Sequence, residues 1–129
     1  MNKTSKNKSE ALSIFKDKKV LITGHTGFKG SWLSLWLNLL GAKVIGFSDL
    51  IPTKPSLFDV CRNKEFLIDF RDDIANKQSV RECIFATKPD FIFHLAAQPL
   101  VRTSFHKPLE TIKTNAFGTV NILDSLMTY

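Results

Sequence analysis

Apolar residues along this chain fall into short runs of four or five, separated by stretches with a helical period. Lys19-Val-Leu-Ile-Thr23, Lys43-Val-Ile-Gly-Phe47, Glu65-Phe-Leu-Ile68 and Phe91-Ile-Phe-His-Leu95 have the length and composition of buried strands. The stretches between them read as helices. Ser31 to Leu40 puts Trp32, Leu33, Trp36, Leu37 and Leu40 at i, i+1, i+4, i+5 and i+8, and Gly41 stands where a helix C-terminal glycine belongs. Ile74 to Ala86 predicts a second helix, with the acidic Asp69–Asp73 turn in or before its first turn. Pro108 opens a third, with Leu109, Ile112, Ala116, Val120, Leu123 and Met127 close to one stripe. Ser48 to Ser56, with Pro52 and Pro55, reads as a loop, as does Ala96 to Lys107; Leu57 to Asn63 is a short helix or a turn.

Strands alternating with helices predict an α/β fold, a Rossmann-like doubly wound parallel sheet covered on both faces. The expected strand order is 3-2-1-4 with right-handed crossovers. That order sets the first and fourth strands side by side, so their carboxyl ends form the crevice of the sheet. Gly24–Gly30 and Leu95–Gln98 should then face each other across one pocket.

The junction of the first strand and helix carries the most chemistry. Val20-Leu-Ile-Thr-Gly24-His-Thr-Gly27-Phe-Lys-Gly30-Ser-Trp is a strand, a glycine-rich turn and a helix start. One glycine makes the tight turn, one lets backbone amides approach a pyrophosphate, and one lets the helix pack close to the strand. The unpaired N–H groups and positive dipole end of the helix then point at the ligand. The spacing is G-x-x-G-x-x-G rather than G-x-G-x-x-G, and an ordinary ligand-free turn is the alternative. Asp49, 19 residues after Gly30, is placed to accept from both hydroxyls of an adenosine ribose and to repel a 2′-phosphate, which favours NAD over NADP; a solvated loop aspartate is the alternative. Asp69 could bind an adenine amino group, with Phe70 packing beside it, or cap the following helix. Leu95, Ala96 and Ala97 are small or apolar enough for a nicotinamide riboside to lie against their backbone. Asn115 sits mid-helix, where asparagine is a poor former; it could bend the helix or hold water near the cofactor, or simply be exposed.

Composition narrows the function classes. The 129 residues suffice for one domain with a core, and the hydrophobic fraction of 43% is that of a globular protein. Neither an apolar run of about 18 residues nor a signal-peptide core is evident, which points to the cytoplasm. The net charge of +6 is concentrated at the start: residues 1–19 carry six lysines against Glu10 and Asp17. Residues 1–14 therefore read as a basic polar tail without fixed structure, and 15–129 as the nucleotide-binding unit. A folded basic face for nucleic acid is not indicated, and no membrane partner is expected. Cys61 and Cys83 lack C-x-x-C partners, and His25, His94 and His106 have no ligand spacing, so no metal site is expected. Cys83 reads as a small core residue, and His94 as a packed, hydrogen-bonded one.

The segments GHTGFKGSW, LFDV (57–60), IDFRDD, FHLAAQPLVRTSF and PLETIKTNAFGTVN together resemble an extended short-chain dehydrogenase/reductase of the epimerase/dehydratase family, and within it the CDP-glucose 4,6-dehydratase group. The likeness runs from about residue 15 to 129. It implies a lyase with a bound, regenerated NAD. The sugar is oxidised at C4, the C5 proton becomes acidic, water leaves across C5–C6, and the product is a CDP-4-keto-6-deoxyglucose for cell-surface polysaccharide. By motif match, Gly24, Thr26, Gly27, Phe28, Lys29 and Gly30 surround the pyrophosphate. By the same match Asp69 and Phe70 contact the adenine end, Leu95, Ala96 and Ala97 line the ribose and nicotinamide, and Gln98 and Arg102 lie toward the sugar nucleotide. Some positions depart from the family pattern: Ser48-Asp49-Leu50 at the end of the second strand, Phe105 in place of tyrosine, and Ala116-Phe117 in place of Val-Met. The Tyr-x-x-x-Lys pair that the family uses as its base is not among these residues, since Tyr129 is the single tyrosine and ends the sequence. The chain thus reads as the N-terminal part of such an enzyme, without catalytic residues of its own. Another nucleotide-sugar epimerase or dehydratase, or a non-catalytic nucleotide-binding fragment, is the alternative. The fourth strand is expected to lack an outer neighbour, which predicts poor solubility or association into homo-oligomers.

Overall fold

A computed structural model describes residues 12–129; of the basic tail, residues 1–11 lie outside the described residues. Ser13–Phe15 forms a single 3₁₀ turn, and the Phe15 ring meets Phe91 edge-on at 5.2 Å. Four strands follow: β1 (Lys19–Thr23), β2 (Lys43–Phe47), β3 (Ile68–Phe70) and β4 (Phe91–His94). The helices are α1 (Phe28–Leu39), α2 (Leu57–Val60), α3 (Lys77–Thr87), α4 (Val101–His106), α5 (Pro108–Ile112) and α6 (Gly118–Met127). A π-helical turn, Lys113–Phe117, joins α5 to α6.

The sheet is parallel with order β3-β2-β1-β4, as the pattern predicted. Val20 pairs with Val44 on one side and Phe91 on the other, and Ile45 pairs with Ile68. Alternation along the strands feeds two cores. Val20, Ile22 and Val44 pack with Leu37, Phe58 and Leu67. Leu21, Ile45 and Phe47 pack with Ile74, Val80, Cys83, Ile84 and Ile122 on the other face. A sheet buried on both faces needs strands that are apolar throughout, and the burial pattern of β1 and β2 has that form. Burial pushes the Cys83 thiol up to about 12, the state of an inert core residue.

Gly41 ends α1 as expected, at φ +83°, with its N–H on the Asn38 carbonyl. Ser56 caps α2 by accepting from the Asp59 amide. Other boundaries differ from the sequence reading. The third strand lies at Ile68–Phe70, three residues later than expected. The second long helix starts at Lys77, because Asp73 holds an Asx turn through the Ala75 amide and Asn76 then caps the helix through the Ser79 amide. Ile74 is released to enter the core. The stretch expected as a loop after β4 contains α4, whose side chains bury nothing completely.

The apolar stripes of the two site helices need correcting. In α1 the most buried positions are Gly30, Ser31, Ser34 and Leu37, with Leu33 and Leu40 partly buried beside them. Trp32 and Trp36 point outward and, with Phe28, Lys29 and Leu33, line an open groove of about 380 Å³. In α6 the buried face is Gly118, Asn121, Ile122 and Ser125, whereas the expected stripe is exposed along its whole length: Leu109 and Ile112 in α5, Ala116 in the π-helical turn, and Val120, Leu123 and Met127 in α6. Close packing against the turn before α3 selects a small residue here: a Cβ at position 118 would lie 2.8 Å from Ile74 Cγ2. Among the described residues no helix is long and apolar enough to cross a membrane.

Candidate nucleotide-binding site

The crevice has two walls. The first is the turn from β1 to α1. Gly24 adopts φ +72° and donates its N–H to the Phe47 carbonyl at 2.8 Å. A Cβ on it would sit 2.7 Å from the Ala96 nitrogen, so the turn and the segment after β4 meet backbone to backbone, as expected. Gly30 lets the helix descend onto the turn, since a Cβ there would lie 2.2 Å from the Gly24 oxygen. Gly27 is the N-cap of α1 and brings no side-chain acceptor. The amides of Phe28, Lys29 and Gly30 are thus first-turn donors without an intrahelical partner. An anion with several acceptor oxygens suits that donor set, and a dinucleotide diphosphate fits it.

Thr26 faces away from this mouth. Its hydroxyl donates to the Leu50 carbonyl at 2.6 Å and accepts from Ser48 Oγ at 2.8 Å, pinning the turn to the end of β2. Asp49 is exposed one residue beyond Ser48, and its Oδ1 accepts from the Leu50 amide. Asp69 lies on β3 with its carboxylate engaged twice. Oδ1 accepts from His25 Nε2 at 2.8 Å, and Arg71 grips both oxygens, at 2.7 and 3.0 Å. It does not cap α3. Phe70 is half-buried against the core.

The second wall follows β4. Thr23 Oγ1 accepts from the amides of Leu95 (3.1 Å) and Ala96 (3.2 Å). Leu95 and Ala97 remain exposed beyond this anchor. Asn115 sits in the π-helical turn, a feature frequent at functional sites. Its side chain accepts from the Gln98 amide at 2.7 Å and donates to the Gln98 carbonyl at 3.1 Å, as a second backbone would. The Gln98 side chain bonds both main-chain groups of Leu100 and the Thr111 hydroxyl, so it braces its own loop. Arg102 is exposed on α4.

Of the two histidine networks, the sequence reading expected His94 to be packed and hydrogen-bonded, as it is, and passed over His25. His94 Nδ1 is 2.6 Å from Thr23 Oγ1, and Nε2 is 3.1 Å from Thr119 Oγ1. The Thr119 hydroxyl donates to the Asn115 carbonyl, so Nε2 must carry the proton and Thr23 must donate to Nδ1. His25 is 0% exposed, and its Nε2–H donates to Asp69. Its Nδ1 forms no hydrogen bond, although the Phe47 carbonyl lies near enough to favour the protonated ring. Burial, the larger effect, holds the pKa of His25 below the usual histidine value against the pull of Asp69; His94 is lowered by burial alone. Both are neutral imidazoles at pH 7. A glycine inside the apolar run of β2 was the available signal for His25, because it marks a close approach. Among the described residues no group of three potential metal ligands gathers.

The model of the GDP-mannose 4,6 dehydratase family matches residues 21–129. The chain belongs to this family. It is 46% identical over 114 residues to CDP-glucose 4,6-dehydratase of Salmonella typhimurium, covering 88% of this chain and 32% of that protein. To GDP-mannose 4,6-dehydratase of Vibrio cholerae it is 31% identical over 120 residues, 84% of this chain and 31% of the other. Among solved structures, an epimerase of Methanothermobacter thermautotrophicus superposes with a TM-score of 0.79 at 27% identity, over 93% of this chain and 34% of that one. UDP-glucose 4-epimerase of Thermus thermophilus in complex with NAD gives 0.71 at 29%, over 86% and 34%. The chain spans about a third of the length of the curated relatives it matches.

Proposed function

We propose that these residues form the NAD-holding part of a dehydratase that converts CDP-glucose to CDP-4-keto-6-deoxyglucose. The observation that carries the reading is the start of α1, which has no side-chain cap and lies on a turn that Gly24 brings backbone to backbone against the segment after β4 and Gly30 packs against the helix. The amides of Phe28, Lys29 and Gly30 bind the diphosphate. Asp49 accepts from the adenosine ribose, and Asp69 with Phe70 borders the adenine. Leu95, Ala96 and Ala97 form the floor under the nicotinamide riboside, held in place by Asn115. Gln98 and Arg102 lie on the path to the sugar. NAD, when bound, supplies a reversible two-electron acceptor for the sugar. These residues bind and orient; the choice of cytidine rests on the 46% identity to the Salmonella enzyme.

Calorimetric titration of the 129-residue chain is expected to give one NAD site. NADP should bind at least about tenfold more weakly, because its 2′-phosphate meets the Asp49 carboxylate. Absence of saturable binding removes the cofactor reading. The substrate is tested on a polypeptide that joins this chain to a segment bearing Tyr-x-x-x-Lys. It should form a 4-keto-6-deoxy product from CDP-glucose faster than from GDP-mannose or dTDP-glucose, and a reversed preference removes the cytidine assignment.

A further inference from the structure

His25 belongs to two places at once. Its main chain is part of the glycine turn: its carbonyl accepts from Ser31 Oγ at 3.2 Å, and its Cα would lie 2.7 Å from a Cβ on residue 30. Its side chain is buried beneath β2 and β3. Space for the ring exists because position 46 is glycine; a Cβ there would fall 2.3 Å from Cδ2 and 2.6 Å from Nε2. Phe58 of α2 meets the imidazole edge-on at 5.4 Å, and the Arg71 guanidinium stands 5.2 Å from the Phe58 ring centre. Within that cage the imidazole makes one side-chain hydrogen bond among the described residues, the 2.8 Å bond to Asp69 Oδ1. With Arg71 on the same carboxylate, the direction of Asp69 is fixed from two sides.

We propose that His25 is a positioning residue for the dinucleotide: it locks the turn that holds the diphosphate to the Asp69 carboxylate at the adenine end, so the two ends of the ligand are bound as one unit. The inference rests on the NAD reading above. It explains why a glycine interrupts the apolar run of β2 and why the short helix α2 buries a phenylalanine. Both build the seat for one ring.

The test is a mutant cycle read as the NAD dissociation constant of the full chain. His25→Gln keeps an amide donor near the Nε2 position, whereas His25→Leu fills the cage without a donor. The Gln variant should stay within about threefold of wild type, and the Leu variant should bind about tenfold more weakly, the size of one hydrogen bond. On an Asp69→Ala background His25→Leu should cost less than about twofold further, because the histidine acts through that carboxylate. Equal losses on both backgrounds overturn the inference while the cofactor reading stands; absence of NAD binding by wild type overturns both. A second measurement needs no variant. Adenosine, which lacks the diphosphate, should shift the Gly24–Gly30 amide resonances of the wild-type chain, and unmoved turn amides under adenosine binding overturn the inference.

Discussion

The two walls of the crevice are held in place by different means. The glycine turn is held by steric fit. Gly24 and Gly30 stand where any Cβ would enter a neighbouring backbone, and two side chains of the turn tie it down: Thr26 to the end of β2, and the fully buried His25 to a carboxylate on β3. The segment after β4 is held by side chains standing in for backbone. Thr23 serves two amides, Asn115 serves both main-chain groups of Gln98, and His94 joins Thr23 to Thr119 of α6, whose hydroxyl bonds the Asn115 carbonyl. A diphosphate site requires bare amides at fixed positions, which glycines deliver. A surface for a flat ring needs a shaped backbone without bulky side chains, which distant polar groups can hold from behind.

The largest test of this contrast falls on the first wall. Gly30→Ala places a methyl 2.2 Å from the Gly24 oxygen, and backbone cannot yield as a side-chain tip can. It should lower stability by about 3 kcal/mol in urea unfolding, at the upper end for overpacking. Gly27→Ala, whose nearest contact is 3.3 Å, is the internal control and should cost far less. Equal costs would show that the turn is not sterically determined.

Thr23→Val probes the second wall with nearly constant volume. It leaves the Ala96 amide without its hydroxyl partner and removes the donor to His94 Nδ1. The Leu95 amide keeps the Thr23 carbonyl at 3.0 Å. A loss of about 2 kcal/mol follows from unmade bonds at part-buried groups. Amide exchange at 95–98 should quicken while the glycine turn stays protected; a uniform increase would mean the walls are not separable.

The smallest effect concerns protons. Both histidines have folded-state pKa values below the ordinary 6.5, chiefly through burial. The unfolded chain therefore takes up protons near pH 6.5 that the folded chain refuses. The contribution of these neutral rings is fully present above pH 6.5 and is lost as the pH falls through the lowered folded values. Unfolding free energy should decline from about pH 7.5 to about 5.5, and less steeply in His25→Gln. A rise over that interval would contradict the assignment of neutral rings.

Much of this was legible in the residues because it is local. The alternation of apolar runs and helical periods pointed to the sheet order, and the three glycines announced the turn, Gly24 through its positive φ and Gly30 through its close approach to the turn's backbone. Asn115 stood out as a poor helix former, and it lies in the π-helical turn. The outward faces of α1 and α6 were misread because periodicity counts apolar residues, whereas close packing against neighbouring turns selected glycine at positions 30 and 118.

What the sequence alone determined is the class of fold, the strand order and the place of the glycine turn between β1 and α1, all of which follow from backbone and topology rules. Tertiary structure alone decided which helix faces are buried, where Gln98 turns its amide, and that His25 and Asp69, 44 residues apart, share a hydrogen bond of 2.8 Å. Those outcomes depend on distances between strands that only the assembled sheet sets. A contact that short cannot be read from spacing along a chain that first folds past dozens of residues.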